Sequence, residues 1–115
     1  MADPSEEIRR RLAAPPPSTE DVVSDFVQTF WVDSGGGDRV DAELARMAGD
    51  QRGLHYLARG ADAIDELLAN PPAENRLMEL VSVDANRPLA LNTDEVAAEW
   101  LRAFAKRVRA VVEGA

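Results

Sequence analysis

The side chains able to do chemistry in this chain are almost all carboxylates. Asp21 and Asp25 stand four apart, Asp62, Asp65 and Glu66 crowd into five positions, and Glu95 and Glu99 repeat the four-residue spacing. Two carboxylates in a concave site can trade a proton or share a divalent cation. The bland alternative is a solvated helix face, where like charges four apart oppose each other by about a few tenths of a kcal/mol. Other chemistry is scarce. His55 is the one histidine, and it falls beside Leu54 and Leu57 in a helical pattern, with no second His and no Cys to complete a metal site. The absence of cysteine removes disulfides and thiolate nucleophiles. Gly35-Gly36-Gly37 has neither the strand nor the GxxxxGK context of a phosphate loop. No base stands paired with a nucleophile in the sequence. The expectation is a protein with no catalytic residue, no metal site and no cofactor.

Charge says more about partners. The net charge of −8 is uneven. Residues 18 to 99 carry 17 Asp and Glu against 6 Arg, a balance of −11. Residues 100 to 115 carry Arg102, Lys106, Arg107 and Arg109 against Glu113, a balance of +3, and residues 1 to 17 balance at zero. An acidic body repels phosphates, which argues against nucleic acid, and attracts basic protein surfaces, whose encounter rate it raises. Solubility alone is the competing explanation for such a charge.

The elements that must position these groups read as helices. Asp3-Pro4-Ser5-Glu6 has the form of a helix start, with Ile8 and Leu12 on one face, until Pro15-Pro16-Pro17 stops it. Residues 1–17 are thus an arm or short helix with a Pro-rich linker, and residues 18–115 a single helical domain. Ser18 and Thr19 are N-cap candidates for a stripe of Val22, Val23, Phe26, Val27, Phe30 and Trp31. The glycines of 35–37 then let the chain leave that helix. Val40, Leu44, Met47 and Ala48 suit a short helix. Asp50 caps a longer one carrying Leu54, Leu57, Ala58, Ala61, Ile64, Leu67 and Leu68 to the stop at Asn70-Pro71-Pro72. LMELVSV (77–83) fits a helix or a strand. Asn92 and Glu95 are spaced as a capping box for a last helix, with Val96, Trp100, Leu101, Phe104, Val108 and Val111 on one face. The prediction is an all-α bundle of five or six helices with short loops, in which the aromatic residues of the helix after the Pro-rich linker and the last helix meet and both tryptophans are largely buried.

In outline the chain resembles the immunity proteins of contact-dependent growth inhibition over residues 20 to 113. The likeness rests on FVQTFWVD (26–33), AIDELLA (63–69) and EWLRAFAKRV (99–108): an aromatic helix, a leucine-rich middle helix and a last helix opening around a WL pair. Of the signature that follows the first core helix in such proteins, Thr29–Ser34 keeps Phe30 and Asp33. The resemblance implies a bacterial protein that binds and neutralises a cognate toxin domain, often a nuclease, and does no catalysis itself.

Charge and resemblance together predict a cognate basic toxin domain as partner, held on acidic side chains. The candidates are Asp33, Asp38, Asp41 and Glu43 around the glycine loop, and Asp62, Asp65 and Glu66 on the long helix. The alternative is a small helical adaptor or regulator acting as a homodimer through an apolar helix face. No apolar run is long enough to span a bilayer. The charged N-terminus lacks the apolar stretch of a signal peptide, so the expected location is the cytoplasm.

Overall fold

The computed structural model describes residues 18–33 and 39–115, which form helices and connections with no strand among them. The arm or short helix expected in residues 1–17, and the glycine loop with Asp38, lie outside the described residues. The chain order is α1 (Thr19–Gln28), α2 (Val40–Met47), α3 (Gln51–Ala69), α4 (Arg76–Glu79) and α5 (Asp94–Glu113). α1 and α4 each run on into a wider π-helical turn, Thr29–Asp33 and Leu80–Asp84. The segment 77–83, open between helix and strand on sequence, is therefore helical. In the second π turn, Ala85 N–H donates to the Leu80 carbonyl at 3.0 Å.

Side-chain caps fix where the helices start. Ser18 Oγ accepts from Asp21 N–H, and Asp50 accepts from Gly53 N–H at 2.7 Å. Both fill amide donors that have no partner within the helix. At α5 the capping box expected at Asn92 and Glu95 is not the cap. Thr93 takes that place, in extended geometry (φ −131°, ψ 155°), with Oγ1 accepting from Val96 N–H at 3.2 Å. The adjacent Asp94 reaches away from its own helix and accepts from Asn75 N–H at 2.8 Å and Met78 N–H at 3.0 Å. Asn75 itself holds the left-handed φ of 70° that Asn tolerates better than most residues. One carboxylate at the start of α5 therefore satisfies the start of α4.

α3 and α5 make the most extensive helix pair, and α1 packs across α3. The core gathers Val23, Phe26, Val27 and Phe30 of the first helical segment, Leu57, Ala61 and Ile64 of α3, Leu80 and Val81, and Leu101, Phe104 and Val108 of α5. As expected, the aromatic residues of α1 and α5 meet: Phe26 and Phe30 each lie 5.8 Å from the Phe104 ring, centroid to centroid. The tryptophans keep most of their surface buried, as expected, though at the core's edge. Trp31 and Trp100 pack against the core from its margin, their ring centroids 5.1 Å apart. The α5 apolar stripe is centred on Leu101, Phe104, Ala105 and Val108, which rotates Trp100 to its margin. No described helix is long and apolar enough to cross a membrane.

Candidate functional site

α1 and α3 approach closely because of a glycine. At position 60 a Cβ would stand 2.2 Å from Phe26 Cε1, so only a residue without a side chain lets the Phe26 ring seat against α3. Phe26 is buried there, and its ring lies 5.4 Å from that of Tyr56, which is 38% exposed. Tyr56 Oη donates to Thr29 Oγ1 at 3.3 Å, holding the ring against the end of α1.

Above this aromatic floor runs an open groove of about 470 Å³ between the two helices. One wall is the Thr19–Val22–Asp25–Phe26 face of α1, and the other is the Tyr56–Arg59–Ala63–Glu66 face of α3, each at helical spacing. Asp25, Asp62 and Glu66 line it against Arg59, so the groove carries three carboxylates and one guanidinium. Asp25 and Glu66 have no hydrogen-bonding or ion-pair partner for their carboxylates among the described residues. Here two acidic positions from separate parts of the chain, 25 and 66, come to the two walls of one concave surface.

The other acidic candidates are engaged within the molecule. Asp62 and Asp65 both hold Arg109 of α5, at 3.0 and 2.6 Å, yet remain 77% and 51% exposed. The hydrogen bonds that Arg109 donates to Asp65 first and Asp62 second push its guanidinium further into its charged form. Asp41 takes Arg107 at 2.8 Å. Glu43 pairs with Arg46 three residues on, and that hydrogen bond lowers its pKa. Asp33 ends the first π turn, and Asp38 lies outside the described residues. The predicted acidic triad on α3 is thus divided: Asp62 and Asp65 share a cation with α5, while Glu66 faces α1.

A second polar cluster is a clamp between helices. Arg76 pairs with Glu20 of α1 and, at 2.9 Å, with Asp84. Asp84 also accepts from Ser24 Oγ at 2.9 Å, and Ser24 in turn accepts from Gln28 at 2.9 Å. Partial burial works against the Arg76 charge, and the hydrogen bonds to Glu20 and Asp84 outweigh it, leaving its pKa raised. These groups satisfy one another, which marks them as a strut.

Trp31 forms a third feature. Arg87 lies 5.1 Å and Arg107 5.8 Å from its ring centroid, a geometry in which a cation meets the ring quadrupole. His55 is exposed on α3, and no described group of three or more His, Asp or Glu side chains is arranged to hold a metal ion.

Tyr56, Arg59 and Asp25 were not among the binding residues expected from sequence. The available signal was Gly60, a costly residue in a helix interior that calls for a packing partner. No family model, curated protein or solved structure matches this chain.

Proposed function

We propose that this is a non-enzymatic binding protein of the immunity type, which captures a basic toxin domain on the acidic surface of α1 and α3. The groove supports this reading: it places carboxylates from both helices over exposed aromatic surface, and such a field speeds the approach of a basic partner. The resemblance of residues 20 to 113 to immunity proteins supplies the toxin as the kind of partner. The competing reading, an adaptor that pairs with itself through an apolar helix face, draws less support. Among the described residues, the large apolar side chains left exposed are Val32, Tyr56, Val83 and Leu91, each on a different segment.

The test is a search of the neighbouring reading frames for a secreted protein ending in a short basic domain, followed by co-expression of that domain with this chain. Growth is expected to be restored and a complex recovered. Its association rate should fall as salt rises from about 0.1 M to about 1 M, over which the screening length shrinks from about 10 Å to about 3 Å. A toxic domain that this chain neither binds nor relieves would end the immunity reading. A salt-insensitive association rate would remove the acidic surface from it.

A further inference from the structure

The molecule shows how it holds a guanidinium. Arg107 is placed between an aromatic face and a carboxylate at once: its carbon lies 5.8 Å from the Trp31 ring centroid while Nε donates to Asp41 at 2.8 Å. The groove between α1 and α3 offers the same pair of partners. Tyr56 presents an exposed ring, and Asp25 and Glu66 stand on opposite walls with no ion-pair partner for either carboxylate among the described residues.

We propose that this groove is the docking site for an arginine-bearing segment of the partner protein, one guanidinium lying on the Tyr56 ring and hydrogen-bonded to Asp25, and a second meeting Glu66, which stands ten residues and about 15 Å further along α3. The inference rests on the binding reading above and assigns its contact point. Three observations carry it. The groove's charge is complementary to a cation: among the described residues Asp25 and Glu66 are unpaired and Asp62 is paired with Arg109, against the single guanidinium of Arg59. Its volume of about 470 Å³ admits more than one side chain, so a segment of chain is accommodated. Its floor is aromatic and its rim acidic, which suits the planar, weakly hydrated guanidinium better than the compact ammonium of lysine. Arg59 sets the polarity, since its like charge opposes the incoming group.

The test uses the full-length chain, isotopically labelled, and a leucine–alanine peptide with arginines at helical spacing. Matched peptides carry lysine or citrulline at the same positions. Amide shifts are expected to centre on Asp25, Tyr56, Ala63 and Glu66. Affinity should fall from arginine to lysine to citrulline. The double change Asp25→Asn with Glu66→Gln should weaken the arginine peptide by about tenfold or more, while Asp41→Asn with Glu43→Gln leaves it unchanged. Arg59→Gln should tighten binding. Citrulline binding as well as arginine, shifts spread over every acidic face, or weaker binding by Arg59→Gln would each overturn the proposal. So would movement of the groove resonances in Arg9→Gln/Arg10→Gln/Arg11→Gln without peptide, which would give the groove to the chain's own arginine run. These readings do not depend on the toxin. Growth rescue that survives the Asp25/Glu66 change would sink the groove and leave the immunity reading standing. Failed rescue by the unaltered protein would sink the reading alone.

Discussion

Gly60 and Phe26 are in contact so close that no other residue fits at position 60 without movement. A Cβ there would meet three atoms of the ring at 2.2 to 2.4 Å. The ring has little room to withdraw, because Phe30, Tyr56 and Phe104 surround it at centroid distances of 5.1 to 5.8 Å. Gly60→Ala would gain about 1 kcal/mol in helix propensity and lose about 1–3 kcal/mol or more to overpacking. The expected result is a net loss of stability with a displaced Tyr56, read by denaturant unfolding and by the Tyr56 ring shifts. A more stable Gly60→Ala protein would mean that α1 and α3 do not meet as described.

Phe104 joins both aromatic groups of the core, touching Phe26 and Phe30 on one side and Trp31 and Trp100 on the other. Phe104→Ala should cost about 3–5 kcal/mol, a large share of the stability of a domain this size. Trp100→Ala should cost less, because Trp100 sits at the margin of the core while Phe104 is 3% exposed. Equilibrium unfolding of the two variants ranks them, and the reverse order would place Trp100 in the core.

Arg76→Met removes the cation between Glu20 and Asp84 and leaves two part-buried carboxylates facing each other. A loss of about 1–3 kcal/mol is expected, with α1 loosened from α4. Amide exchange at residues 20–28 should rise together with exchange at residues 76–84. Faster exchange in only one of the two segments would show that the clamp does not couple them.

Glu43 gives a pH signature. The hydrogen bond from Arg46 holds its pKa below the ordinary value of 4.5. A depressed acid contributes stability that is present above the unfolded value and lost as pH falls through the folded one, so the window lies below 4.5. Glu43→Gln should therefore flatten the acid limb of stability against pH by removing a small stabilisation present at neutrality, small because Arg46 is well exposed. A carboxyl titration midpoint for Glu43 at or above 4.5 would remove the pair in solution.

Arg109→Gln frees Asp62 and Asp65 at the acidic surface. Stability should change by no more than about 1 kcal/mol, because these partners are well exposed. Association with a basic partner should quicken, most visibly at low salt. An unchanged or slower rate would place the partner elsewhere on the molecule.

Helix identity and order were legible in the sequence because they depend on short-range causes: apolar residues recurring at helical spacing, caps at Ser18 and Asp50, and breakers at Asn70-Pro71-Pro72. The meeting of Phe26 and Phe30 with Phe104 also followed, since the two most aromatic stripes have to be covered by something. What tertiary structure decided is which charges stay free. Asp62 and Asp65 look like Glu66 in sequence, yet Arg109, more than forty residues away, takes the first two and leaves the third facing α1. Asp94 reads as part of its own helix's start, but its oxygens satisfy amides at positions 75 and 78. An acidic side chain's partner is set by which helix face lies opposite. That depends on how all the helices pack at once, which the spacing of residues along any one of them does not contain.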